Sequence, residues 1–271
     1  ANDRSSLVVK VGSRQMLIDG VRQWLSFPVL RRGAKGEAVY VSLLDLNSTV
    51  IPAMEPGFVD GLGQVSTIVF DPGHGGDDPG GRGHLGCERD YTLDLVKRTR
   101  SILEGRGIRV VQNRLGDSFV PLSRRPSMTK NYKDPIIISI HFNASRNRDA
   151  HGFEIFALPP TGAPSQGSDP DPKTDKKTYP NTPHEPASFV LANTMYQTLL
   201  GEMEGFDRGV KRARFTVLRY AKVPAVLVEG GFLTHREEAK RIHSPQWRQQ
   251  LAAALADGIV AYMELVNENK Y

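Results

Sequence analysis

Three short runs in this chain end in side chains that can hold a metal ion or move a proton: Asp71-Pro-Gly-His-Gly-Gly76, His141-Phe-Asn-Ala-Ser145 and Glu229-Gly-Gly-Phe232. A histidine set between glycines, as His74 is, has little steric shielding and can present a ring nitrogen to an ion in an open cleft. Alone it would read as an ordinary turn histidine. His141 changes that reading, because it follows the most apolar run of the chain, and a buried strand seldom closes on a histidine and an asparagine without a use for them. Glu88 can complete the set, since the glycine-rich loop from Gly75 to Gly86 is long enough to fold back beside its own strand. Two imidazoles and one carboxylate suit zinc; three protein ligands leave one tetrahedral position for water, whose pKa the ion lowers toward about 7. Hydrolysis then needs a proton acceptor that later protonates the leaving amine. Glu229, at the end of another apolar run, is assigned that role; a strand-end carboxylate pairing with Lys or Arg is the bland alternative.

Side chains so far apart in sequence meet only if a sheet brings their strands together. Short apolar runs at 67–71, 108–111, 136–140, 153–158, 215–218 and 225–228 predict six strands. Helical spacing predicts helices at 90–105, where Leu93, Val96, Thr99 and Leu103 recur, at 187–204 and at 246–265. Ser244-Pro245 reads as the N-cap and first residue of the last helix, followed by an apolar stripe of Trp247, Leu251, Leu255 and Ile259. The fold class is α/β: an open twisted, mostly parallel sheet flanked by helices, with functional groups at the carboxyl ends of the strands.

Residues 1–63 lack long helical periods. Alternating segments at 7–11, 23–28 and 39–43 predict a small β-rich unit, and the Pro- and Gly-rich stretch 52–63 a linker or ordered crossover, leaving 64–271 as the larger domain. Residues 159–186 carry eight prolines among many polar residues. They predict no core element but a solvated surface insertion, with a lid over the site as the alternative.

The chain has 271 residues, 39% of them hydrophobic and 24% charged, the chemistry of an ordinary globular protein. No run approaches the roughly 18–20 apolar residues of a membrane-crossing helix. The first six residues lack the basic-then-apolar start of a signal peptide, as a processed exported chain also would. Thirty-five Lys and Arg against thirty Asp and Glu leave a charge of +5, which favours polyanionic surroundings. The cations are dispersed and no basic patch interleaved with aromatics appears, so nucleic-acid binding is discounted. Cys87 is the single cysteine, which excludes an intrachain disulfide and a multi-cysteine zinc site, so a metal must use His, Asp and Glu. No base is identifiable beside it, and it reads as packing rather than as a nucleophile. The glycine-rich loop 73–86 lacks the Gly-Lys-Ser/Thr ending of a phosphate loop and the spacing of a dinucleotide fingerprint. His84 is a minor candidate to replace one of the ligands, whereas His151, His184, His235 and His243 read as surface residues.

Over about 68–264 the chain resembles the zinc-dependent N-acetylmuramoyl-L-alanine amidases of the type-3 amidase family. Asp71-Pro-Gly-His-Gly-Gly76 is similar to that family's first ligand motif, and Glu88-Arg-Asp90 to its glutamate ligand before a helix. Ser139-Ile-His-Phe-Asn-Ala144 resembles its second histidine motif, and the run from Pro224 to Leu233 its catalytic glutamate strand. Arg114, Leu122 with Arg125, Gly152-Phe-Glu154, Asp207-Arg-Gly-Val-Lys211 and Phe215-Thr-Val-Leu218 are supporting matches. The resemblance implies zinc on His74, Glu88 and His141, Glu229 as the catalytic residue, and cleavage of the amide between N-acetylmuramic acid and L-alanine in peptidoglycan. It also implies a periplasmic or secreted location, with a monomer expected. Gly230 departs from the family, which often has a small hydroxyl residue there, and 159–186 is longer than the usual connection. Two alternatives stay open. One is a zinc carboxypeptidase-like peptidase acting on wall peptides, which would want Arg114, Arg125 or Arg212 in the cleft for a terminal carboxylate. The other is a non-catalytic wall-binding or regulatory relative, which would be free to lose Glu229.

Overall fold

The computed structural model describes residues 6–33, 38–83 and 85–268. Its strands are β1 (Leu7–Val9), β2 (Gln15–Ile18), β3 (Val21–Trp24), β4 (Leu30–Arg32), β5 (Ala38–Tyr40), β6 (Thr67–Pro72), β7 (Arg109–Gln112), β8 (Pro135–Asn143), β9 (Phe153–Ala157), β10 (Asp207–Arg212) and β11 (Ala225–Phe232). The helices are α1 (Leu43–Asp45), α2 (Ile51–Met54), α3 (Glu88–Gly105), α4 (Pro172–Asp175), α5 (Glu185–Glu202), α6 (Thr216–Tyr220), α7 (Arg236–His243) and α8 (Pro245–Glu268). Nine strands form one sheet in the order β1-β2-β3-β10-β9-β11-β8-β6-β7, and β4 pairs with β5 apart from it. Around the site the pairing is parallel: β7, β6, β8 and β11 run together, and β9 joins β11 antiparallel. The predicted mostly parallel α/β sheet is what forms.

The period of two along each strand divides the core between the faces. Ile68, Phe70, Ile136, Ile138, Val226 and Val228 point into the large cluster with Leu95, Phe189, Leu251 and Leu255 from α3, α5 and α8. Val69, Ile137, Phe156 and Leu227 point the other way, onto a smaller cluster with Val217 and Leu218. Both faces of these central strands are therefore dry, which is why they read as unbroken apolar runs. As predicted, α8 starts at Pro245 with Ser244 Oγ accepting from the Trp247 N–H at 3.4 Å.

Two expectations need correction. The run 215–218 is not a strand: Phe215 precedes the short helix α6, which buries Val217 and Leu218. Four apolar residues cannot distinguish a strand from a helical turn. The sixth strand is instead β10, disguised by four charged residues in six. It is buried only because Lys211 pairs with Glu154 and Arg212 with Glu185. Second, Glu88 does not precede a helix near Asp90; it is the first residue of α3, where the helix dipole favours a carboxylate.

In the N-terminal region, β2 was hidden from periodicity but announced by Asp19-Gly20. Both residues have positive φ, +50° and +81°, as a two-residue hairpin turn requires. β3 lies parallel to β10, so the small antiparallel β unit continues the large sheet. Val65 and Asn267 exchange hydrogen bonds of 2.9 and 3.0 Å, tying the chain just after the 52–63 crossover to α8. The insertion 159–186 is firmly held and partly buried. Arg214 binds Asp175 at 3.1 Å and donates to Ala163 O at 2.7 Å, and Ala163, Tyr179 and Asn181 are buried.

Candidate active site

The parallel strands set the positions of the site residues. Asp71 and Pro72 end β6, level with Ser139 and Ile140 of β8, and His141 is the register partner of Glu229 on β11. Beyond Pro72 the chain turns through Gly73, whose N–H donates to Ile140 O at 2.9 Å. A Cβ at Gly73 would lie 2.4 Å from Cε1 of His141, so only glycine lets the two histidine-bearing segments come this close. His74 itself has φ +59°. Its Nδ1 meets Asp78 Oδ2 at 2.9 Å, leaving Nε2 facing Glu88 Oε2 at 3.1 Å. The other Glu88 oxygen lies 2.8 Å from Nδ1 of His141. The Gly81 and Phe142 N–H groups donate to the same carboxylate at 2.7 and 3.2 Å. One ligand atom from each of His74, Glu88 and His141 lies within 4.8 Å of the others, and among the described residues no other such group of three was found.

Burial would raise the pKa of Glu88, but hydrogen bonds and charge from His141 and His74 overcome it and hold the carboxyl well below the ordinary range. Burial likewise lowers His74, and Glu88 and Asp78 together reverse this to a net rise. Glu229 moves the opposite way from Glu88. Burial, reinforced by the negative charges of Glu88 and Glu154 and only partly opposed by Lys211, pushes it well above the usual carboxylate range. Its Oε2 is buried with no hydrogen-bond partner among the described residues.

These groups open into a cavity of about 480 Å³. Its polar end carries His74, Glu88, His141 and Glu229; Phe119, Leu122, Phe215 and Val217 form an apolar wall. No residue of 159–186 lines it among those described; the insertion packs behind the apolar wall, through Arg214 next to Phe215 and through Tyr179 and Asn181 against α6. Sequence reasoning missed Asp78, the wall residue Phe119 and the part that Glu154 plays. Asp78 lies four residues after His74 in the same glycine-rich loop, which was the available signal. Glu154 receives Asn143 at 2.7 Å and Arg208 at 2.7 Å as well as Lys211, and it faces Glu229 across the β9–β11 pair.

The arginines raised as carboxylate binders are otherwise engaged. Arg212 reaches Glu185, Leu158 O and Ser48 O, away from the cavity. Arg125 borders the cavity, but its nitrogens donate to Val120 O, Asp71, Pro72 O and His74 O. Arg114 also donates to backbone carbonyls. Cys87 precedes Glu88 with a free thiol and does not join the ligand group. His84 lies outside the described residues. The His151 and His235 rings lie 5.0 Å apart, tilted by 32°, and His243 meets the Tyr91 hydroxyl at 3.1 Å.

The donor set fits a divalent ion of borderline softness. Two imidazole nitrogens and one deprotonated carboxylate converge from the turn after β6, from β8 and from a helix start, and the glycine at 73 leaves the space a Cβ would fill. A neutral apolar pocket would have no reason to collect these groups.

The family model Amidase_3, described as N-acetylmuramoyl-L-alanine amidase, matches residues 68–261. The chain is similar to an uncharacterized cell wall amidase of Bacillus anthracis, 33% identical over 233 residues, covering 83% of this chain and 40% of that protein. It is also similar to the N-acetylmuramoyl-L-alanine amidase AmiA of Escherichia coli strain K12, 30% identical over 225 residues, covering 75% of this chain and 78% of that protein. Among solved structures, N-acetylmuramoyl-L-alanine amidase AmiC2 of Nostoc punctiforme superposes with a TM-score of 0.61 at 32% identity, over 74% of this chain and 99% of that one.

Proposed function

The chain belongs to the Amidase_3 family of N-acetylmuramoyl-L-alanine amidases, and we propose that it hydrolyses the amide joining the lactyl group of N-acetylmuramic acid to L-alanine in peptidoglycan. The observation that carries this reading is the convergence of His74, Glu88 and His141 beside Glu229 in one cavity. His74, Glu88 and His141 would hold zinc. When bound there, zinc supplies Lewis acidity and makes water a competent nucleophile near neutral pH.

The chain's own groups do the rest. Asp78 holds the tautomer of His74 that turns Nε2 toward Glu88. Glu229 takes the proton as water adds to the lactyl carbonyl carbon. It returns a proton to the amide nitrogen as the C–N bond breaks, so the peptide leaves with a free amino terminus. A carboxyl held above its ordinary pKa is suited to both transfers. Phe119, Leu122 and Phe215 offer apolar contact to the methyl groups and sugar face that flank this bond.

A peptidase that removes terminal residues needs a cation for the terminal carboxylate. Arg125, which borders the cavity, already gives its donors to protein oxygens, which favours the amidase over that alternative. The intact Glu229 speaks against a purely binding relative. Peptidoglycan as substrate implies work in the periplasm or outside the cell. The names of the relatives agree with wall chemistry, and no helix among the described residues is long and apolar enough to cross a membrane.

The test is digestion of purified peptidoglycan followed by mass spectrometry of the new ends. Free L-alanine amino termini with intact glycan strands are expected. Released D-amino acids would replace the amidase with a peptidase.

A further inference from the structure

Three consecutive backbone carbonyls lead into and through His74, and two buried guanidinium groups donate to all three. Pro72 O accepts from Arg114 Nε at 3.1 Å and from Arg125 Nη1 at 3.1 Å. Gly73 O accepts from Arg114 Nη2 at 2.8 Å and from Thr92 Oγ1 at 2.9 Å. His74 O accepts from Arg125 Nη2 at 3.0 Å. Arg114 is 3% exposed and Arg125 4%, so these charge-assisted bonds form away from water, where they are strong and directional.

Each arginine has a second attachment. Arg125 pairs with Asp71 at 2.7 Å, and Asp71 also receives Ser139 Oγ at 2.7 Å and the Asn113 amide. Arg114 Nη2 reaches Arg89 O at 2.8 Å and Thr92 Oγ1 at 3.0 Å in the first turns of α3. One guanidinium thus joins the backbone just before His74 to the helix whose first residue is Glu88. The other joins the backbone of His74 to the ends of β6 and β8. His74 sits at positive φ, where an L-residue stays only if its surroundings hold it.

We propose that Arg114 and Arg125 are positioning residues for the metal centre: together they clamp the 72–74 backbone so that the His74 imidazole meets Glu88 and His141. The proposal rests on the reading of those three residues as metal ligands. Neither arginine belongs to the ligand group, and the donors of both go to protein oxygens. The planar fork is what the task requires, because it grips adjacent carbonyls at once, whereas a lysine offers one point charge.

The experiment compares wild type, Arg114→Lys and Arg125→Lys, each stripped with chelator and then titrated with zinc against a chromophoric competitor. The cobalt(II) absorption spectrum provides a second readout. Both variants keep the positive charge. They are expected to bind zinc about 10–100-fold more weakly than wild type and to show an altered cobalt spectrum. The metal-free proteins should still unfold cooperatively. Wild-type zinc affinity and cobalt spectrum in a folded variant would remove that arginine from the clamp, and in both would overturn the proposal. A wild type that binds no zinc would instead overturn the ligand assignment beneath it. Should Arg125→Lys fail to fold, Arg114→Lys decides, because it leaves the Arg125–Asp71 pair intact.

Discussion

Glu229 and His141 are register partners on adjacent parallel strands, β11 and β8. The distance between the proposed proton-transfer group and the proposed metal ligand is therefore set by sheet geometry rather than by a loop. Glu229→Gln keeps the shape, and it is expected to retain zinc while muropeptide hydrolysis falls by about 10²-fold or more. Elemental analysis and turnover on the same preparation check this. Unchanged turnover would remove Glu229 from the chemistry.

Glu229 also makes stability depend on pH in the metal-free protein. In the unfolded chain it loses its proton near about 4.3, whereas burial and the charges of Glu88 and Glu154 keep it protonated to higher pH in the folded state. Between those two values the folded protein binds more protons than the unfolded one, so stability falls as pH rises through the window. Glu88 is shifted the other way, so the quantity to read is the difference between wild type and variant rather than either curve alone. Unfolding of chelated wild type and Glu229→Gln at pH 4, 6 and 8 is expected to show wild type less stable relative to the variant at the higher pH values than at pH 4. Parallel curves would contradict the assigned shift.

Gly73→Ala tests the close approach of the two histidine segments. Its Cβ would fall 2.4 Å from the His141 ring, so the ring must move. The fold is expected to persist, because the sheet core is untouched, while zinc affinity drops by about tenfold or more. Undiminished affinity in a chelator competition would show that His141 can shift without consequence.

Most of the fold and the grouping of the candidate residues is legible in the sequence. The metal-competent residues fall at strand ends, and the buried parallel strands β6, β8 and β11 are apolar on both faces, so their sequences stand out. What escaped has a common cause. β10 is buried through ion pairs with partners that come from β9 and α5, and no local pattern in Asp207-Arg-Gly-Val-Lys-Arg212 reveals partners so far away. The run at 215–218 looked like a strand because short apolar segments carry no period. The roles proposed for Arg114 and Arg125 depend on which carbonyls they meet across 41 to 53 residues of chain. Asp78 differs: it sits four residues from His74, and its contact is local.

The apolar wall leads to a kinetic prediction. Phe119 and Phe215 are 55% and 40% exposed, far more than a ring needs to be unless something covers it in use. Losing one such contact is worth on the order of 1 kcal/mol, so Phe215→Ala is expected to raise KM for a muropeptide about fivefold with little change in kcat. An unaltered KM would show that the substrate lies elsewhere.

The central claim is that His74, Glu88 and His141 jointly hold one ion on which hydrolysis depends. Peptidoglycan digestion by one preparation is measured as purified, after chelation, and after zinc is restored, with metal content determined at each stage and His74→Ala run alongside. The expected result is one zinc per chain, activity lost on chelation and recovered with zinc, and neither metal nor activity in His74→Ala. Full hydrolysis by a chelated, metal-free wild type would contradict the account.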